Sequence, residues 1–288
     1  MLAEVNINYA HLNNFIRSIM DRKDRPIGVF DSGIGGLTVL KEIIKELPNE
    51  GTIYLGDTAR VPYGIRSPET VIRYSLECMR FLVKKDIKLL VVACNTASAI
   101  SIHAMRKESP VPVIGVIGPG AMAAIKASAK RKIGVIGTET TIKSRTYLKA
   151  IKKIDSDVHV ISKPCPLFVP LVEEGWVEGK IATLAALKYL SGFKRKGIDT
   201  LLLGCTHYPL LKNTLSKVMG DGVRLIDSAV ETVKKVRRTL SNLKIKNNTG
   251  KKPQREFYVT DFPERFIKVG ERFLGQKIEH IEKVTVGN

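Results

Sequence analysis

The chain has 288 residues, 44% of them hydrophobic, enough for one large or two ordinary domains with a substantial core. No apolar run reaches the ~18 residues of a membrane span. The opening MLAEVNINYAHLNNFIRSIMDRKDRP lacks the basic-then-apolar layout of a signal peptide, so a cytoplasmic protein is expected. The net charge of +19 is spread along a chain with only 6% aromatic residues. Nucleic-acid binding is therefore less favoured than a lysine-rich surface or a positive field that steers a small anion.

Residues 1–25 read as an N-terminal extension that need not be ordered. From Pro26 onward, strand and helix patterns alternate. IGVF is a strand, and LTVLKEIIKEL follows it as a helix with Leu37, Leu40, Ile44 and Leu47 on one face. TIYLGD is a strand, SPETVIRYSLECMRFLVKK an amphipathic helix, LLVVA a strand and NTASAISIHAMRKES a helix. VPVIGVIG and KIGVIG add strands. SNLKIKNNTGKKPQRE reads as an exposed basic loop. EFYVTD reads as a strand, with Thr260 or Asp261 capping a helix that has Pro263 in its first turn. This alternation predicts an α/β fold with mostly parallel sheets.

The chain also resembles itself. IGVFDS at Ile27 returns as IGVIGT at Ile133, Val61-Pro62 as Val169-Pro170, and KKDIKLLVVAC ending at Cys94 as KRKGIDTLLLGC ending at Cys205. Three matches in one order predict two similar, pseudo-symmetric α/β domains. The expected division is 26–118 plus 228–288 for the first domain and 119–227 for the second.

Ligands of open α/β sheets bind at the carboxyl ends of the strands. Asp31-Ser32, Cys94-Asn95-Thr96, Thr138 and Cys205-Thr206-His207 all stand there. If the halves face each other, each side of the cleft supplies one thiol. The four cysteines form no CxxC pair and no zinc spacing. A helix N-terminus behind Cys94 or Cys205 would lower a thiol pKa from ~8.5, letting it act as general base or acid. Two such groups on opposite faces of one carbon suit a racemase. Cys205 with His207 also fits a Cys–His nucleophile, which leaves Cys94 without a role. A Cys94–Cys205 redox disulfide is geometrically conceivable. Cys78 and Cys165 read as structural.

The strings PIGVFDSGIGGLTVL, GDTARVPYG, VVACNTASA, IGTETT, CPLFVPLVEEG, LLLGCTHYPLL and YVTDFPERF cover nearly the whole chain from Pro26 to about Val286. In this order they resemble the glutamate racemases of the cofactor-independent aspartate/glutamate racemase superfamily. The resemblance implies interconversion of L- and D-glutamate in a cleft between the two domains. It implies no pyridoxal phosphate or metal, and a role in supplying D-glutamate for peptidoglycan. It also implies that Cys94 removes the proton from D-glutamate and Cys205 from L-glutamate, with Asp31, His207 and one of Glu173 and Glu174, Glu173 being favoured, assisting. Substrate contacts are expected from Asp31, Ser32, Tyr63, Gly64, Asn95, Thr96, Thr141, Thr206 and His207. A homodimer and regulation by a cell-wall precursor are further expectations of the resemblance. DSGIGG is no dinucleotide fingerprint, because that spacing needs glycine at Thr38; its glycines suit a tight turn close to substrate. His11, His103, His159 and His280 read as ordinary.

Overall fold

A computed structural model of the chain describes residues 22–287, so most of the extension expected over 1–25 lies outside the described residues, as does His11. The strands are β1 (Ile27–Asp31), β2 (Thr52–Gly56), β3 (Leu89–Val92), β4 (Val113–Gly115), β5 (Lys132–Gly137), β6 (His159–Pro164), β7 (Thr200–Gly204), β8 (Arg224–Asp227), β9 (Arg255–Val259) and β10 (Glu282–Lys283). They form two sheets, one in the order β10-β9-β2-β1-β3-β4 and the other β6-β5-β7-β8. Every pairing is parallel.

The core of the first sheet, β2-β1-β3-β4, has the same order as the whole second sheet, so β1 corresponds to β5 and β3 to β7. The registers agree. Ile27 sits opposite Thr52 and Leu89, while Ile133 sits opposite Val160 and Thr200. The internal resemblance of the sequence is thus a resemblance of fold, and the C-terminal strands β9 and β10 extend the first sheet beside β2.

The central strands IGVFD, LLVV and TLLLG are buried along their whole length. Continuous apolar runs of this kind are what a parallel sheet covered on both faces requires. The covering helices are α1 (Leu37–Glu46), α2 (Pro68–Lys84), α3 (Asn95–Ile100), α4 (Ile102–Glu108), α5 (Ile117–Ala127), α6 (Glu139–Lys143), α7 (Thr146–Ile154), α8 (Phe168–Glu173), α9 (Gly179–Arg195), α10 (Lys212–Met219), α11 (Ser228–Asn242) and α12 (Pro263–Leu274). Helix α1 buries Leu37, Leu40 and Ile43 and packs on α11 and α12. Helix α2 starts at an N-cap, where Ser67 Oγ accepts from Thr70 N–H at 3.4 Å and Pro68 follows.

Four local expectations are corrected. The helix expected over NTASAISIHAMRKES is two, α3 and α4, because Ser101 breaks it and donates its hydroxyl to the Val71 carbonyl. VPVIGVIG is a three-residue strand, and its last residues open α5. SNLKIKNNTGKKPQRE is not wholly an exposed loop. Its first two residues end α11, and Ile245 and Asn247 are buried. They are pinned by the buried Lys88–Glu50 pair: Lys88 Nζ donates to the Ile245 carbonyl at 3.0 Å, and Glu50 accepts from Asn247 N–H at 2.8 Å. Neither Thr260 nor Asp261 caps α12. Phe262 is its N-cap, in the left-handed region with φ 55°. Thr260 is engaged elsewhere, donating to Asp57 at 2.9 Å, and Asp261 pairs with Lys283.

Candidate functional site

Cys94 stands two residues beyond β3 and Cys205 directly after β7. Corresponding strand ends of the two sheets thus bring one thiol each to a single cavity of about 390 Å³. Both are nearly buried, at 5% and 6% exposure. Cys94, Cys205, Ser32, Tyr63, Gly64, Asn95, Thr96, Glu173, Thr206 and His207 all line that cavity. Among the described residues no lysine or arginine does; the charged side chains there are Glu139, Glu173 and His207.

The surroundings of the two sulfurs differ. The Cys94 thiol donates to Ser32 Oγ at 3.4 Å and accepts from Ala97 N–H at 3.5 Å, at the start of α3. Asp31, at the end of β1, is buried. Gly33 N–H donates to its Oδ1 at 2.9 Å, and its Oδ2 has no partner among the described residues. Burial pushes the Cys94 thiol up to about 12 and the Asp31 charge adds to this, against the Ser32 and Ala97 hydrogen bonds. The lowered thiol expected from the helix end is therefore corrected at Cys94, because desolvation outweighs the amide. Burial likewise raises the Asp31 carboxyl.

On the other side, His207 Nδ1 lies 3.8 Å from Cys205 Sγ, and its Nε2 lies 3.0 Å from Glu173 Oε1. Burial disfavours the imidazolium, yet the partnerships with Cys205 and Glu173 prevail and raise His207 to about 10. Glu173 is driven the opposite way. Burial alone would raise it, but the His207 hydrogen bond and charge, with Arg265, hold it below the usual carboxylate range. Glu173, not Glu174, meets His207; Glu174 points to solvent.

Two expected contacts are not on the wall. Asp31 sits behind Cys94, and Thr141 backs Thr96 from 3.2 Å. Tyr63 reaches the cavity, but its hydroxyl is given to Asp57. Asn95 is held from below by the Tyr147 hydroxyl, 2.6 Å from Oδ1.

Thr138, expected at the strand ends, is on the wall, and the structure adds Glu139, Pro166, Val169 and Pro170. Thr138 bonds to Thr96 at 2.9 Å across the two sheets. It occupies the repeat position of Ser32. Cys78 and Cys165 are buried away from the cavity. Among the described residues no group of three or more His, Cys, Asp or Glu is placed to hold a metal ion.

Residues 27–236 match the family model for Asp/Glu/hydantoin racemases. The chain belongs to the Asp/Glu/hydantoin racemase family. Within that family it stands with the glutamate racemases. It is 54% identical to the glutamate racemase of Geobacter metallireducens, over 91% of this chain and 97% of the relative. The crystal structure of the Francisella tularensis glutamate racemase, a complex with D-glutamate, superposes with a TM-score of 0.86 at 43% identity, covering 91% of this chain and 98% of that one. The Escherichia coli glutamate racemase, crystallised with L-glutamate and the activator UDP-MurNAc-Ala, gives a TM-score of 0.76 at 30% identity over 92% of this chain and 100% of that one. The two-sheet architecture is that of these family members.

Proposed function

We propose that this chain interconverts L- and D-glutamate with Cys94 and Cys205 as its two acid/base groups. The observation that carries the mechanism is the delivery of one thiol from each of two corresponding strand ends to one cavity. With L-glutamate bound, the Cys205 thiolate takes the α-proton and becomes a thiol. The electron pair left on the α-carbon is delocalised into the adjacent carboxylate. The Cys94 thiol then delivers its proton to the opposite face, leaving D-glutamate and a Cys94 thiolate. The reverse reaction exchanges the roles.

The neighbours suit this division. The imidazolium of His207, held by Glu173, offers positive charge to Cys205 Sγ when it acts as base. Asp31, with an unpartnered carboxyl oxygen behind Cys94, assists the opposite half: its charge favours the protonated thiol and so holds on Cys94 the proton that this half delivers. The substrate carboxylates are bound by neutral donors: Ser32, Asn95, Thr96, Thr206, and the backbone at Tyr63-Gly64. Thr141 acts through Thr96. Fixed neutral dipoles leave no lysine or arginine to compete for a thiolate.

The sheets support a division into a first domain of 26–118 plus 228–288 and a second of 119–227. No helix among the described residues is long and apolar enough to cross a membrane, and the reading places the enzyme in the cytoplasm, supplying D-glutamate to peptidoglycan synthesis. The ligands of the E. coli relative support a cell-wall precursor as regulator, and a homodimer is the proposed assembly. The test is incubation of metal-stripped protein with L-glutamate in deuterated water. D-glutamate carrying α-deuterium is expected. Full activity in C94A or C205A would remove the two-thiol assignment.

A further inference from the structure

The Cys205 side of the cavity does not end at Glu173. Three side chains of α12 converge on the Glu173–His207 pair, although α12 follows β9 of the other sheet. Arg265 Nη2 lies 3.5 Å from Glu173 Oε2, the oxygen not used by His207. Arg272 Nη2 donates to the Glu173 backbone carbonyl at 2.5 Å, at the end of α8. The Phe273 ring meets the His207 ring edge-on at a centroid distance of 5.3 Å.

The chain leaves room for this approach. Gly175, at φ +82°, follows α8, and a methyl group there would come within 2.1 Å of Arg272 Nη1. The guanidinium therefore lies where any other residue would place its side chain. Among the described residues Cys94 has no such arginine pair: its neighbours Ser32, Asp31 and Ala97 belong to its own sheet and α3, and Asp31 makes no ion pair, the cation whose charge reaches it being His207 across the cavity.

We propose that Arg265 and Arg272 are positioning residues that hold Glu173 on His207 and so serve the Cys205 half of the reaction alone. This rests on the two-thiol reading above. Neither arginine lines the cavity, so neither touches substrate; each acts through the placement of Glu173. The helix that carries them belongs to the first sheet's side, so it ties the proton relay of the second side to the first.

Rates alone cannot locate the effect. Enantiomers have equal free energies, so kcat/KM must be the same in both directions for any variant. Isotope effects do locate it. If the Cys205 proton transfer becomes harder, α-deuteration slows L-glutamate more than in the wild type and slows D-glutamate less. The double variant R265Q/R272Q is expected to lose about tenfold in kcat/KM, the scale of one charge-assisted contact. Its isotope effect should rise with L-glutamate and fall with D-glutamate, and the conservative single variant R265K, which keeps Arg272, should return both toward wild type. Wild-type kcat/KM in the double variant overturns the proposal. So does a loss of rate with both isotope effects unchanged, the signature of a smaller folded fraction, or with both moved in the same direction. Wild-type protein that fails to racemise glutamate would overturn the underlying reading and the proposal with it. That outcome is distinct, because it appears before any variant is made.

Discussion

The two thiols occupy corresponding places in corresponding sheets, but the groups beside them do not correspond. The repeat aligns Asp31 with Gly137 and Thr96 with His207. Cys94 therefore has a carboxyl from the neighbouring strand β1, and Cys205 has an imidazole two residues further along its own chain. The first half keeps its thiol protonated, through burial and a nearby negative charge. The second half sets a positive charge beside its sulfur. The resting cavity thus has a buried thiol on one side and a cation beside the sulfur on the other. A near-symmetric fold serves a reaction between mirror images, while unequal neighbours give the two thiols different electrostatic surroundings.

The most severe way to break this comparison is to remove either sulfur's proton chemistry. C94A and C205A should each lose at least about a thousandfold in racemisation, within the range of a general acid or base. A large difference between them, followed by D-glutamate formation from L-glutamate, would show that one thiol is dispensable. Next in size is the exchange of assisting groups. D31N and H207N should each lose about ten- to a hundredfold in kcat/KM. Their isotope effects should mirror each other: D31N raises the effect with α-deuterated D-glutamate, and H207N raises it with L-glutamate. Matching responses in both variants would mean that Asp31 and His207 serve the cavity as a whole.

Adjacent glycines sharpen the same contrast at smaller cost. A methyl on Gly35 would come within 2.2 Å of Thr206 Oγ1 and 2.5 Å of His207 Nδ1, while one on Gly36 would come within 2.5 Å of Asp31 Cβ. Each should destabilise the fold by about 1–3 kcal/mol, the usual cost of overpacking. G35A should then raise the isotope effect with L-glutamate and G36A that with D-glutamate. Thermal melting and the two isotope effects check this.

The strands, the parallel sheets and both thiols were legible because each rests on a local pattern: a buried apolar run followed at once by a polar residue. The return of IGVFDS as IGVIGT located the fold's symmetry and placed Thr138 opposite Ser32, though the chemistry of that threonine was not evident from its position. What stayed hidden depends on side chains meeting across the fold. Nothing in a lone Asp31 says that it sits behind Cys94 and off the wall, and nothing near Cys94 says that burial outweighs its helix end. The choice of Glu173 over Glu174 follows from which face of α8 turns to His207. Arg265 and Arg272 reach Glu173 from the far end of the chain. The cap of α12 was misplaced because Thr260 and Asp261 had stronger partners in Asp57 and Lys283.

The smallest expected effect is on stability against pH. His207 is raised in the folded protein to about 10 from an unfolded value near 6.5. Folding therefore favours its protonated form. That contribution is fully present below about pH 6.5 and is lost as pH rises through 10. Cys94 acts in the same direction at higher pH: its folded value of about 12 lies above the ordinary thiol range, so unfolding releases its proton first, and stability falls between about pH 9 and 12. The melting temperature of the wild type should thus fall by a few degrees between pH 6.5 and 10. H207N should flatten that first segment and keep the decline above pH 9, whereas C94A should do the reverse. An H207N curve parallel to wild type from pH 6.5 to 10 would show that Glu173 and Cys205 do not hold a proton on His207, and the contrast between the two halves would then rest on Asp31 alone.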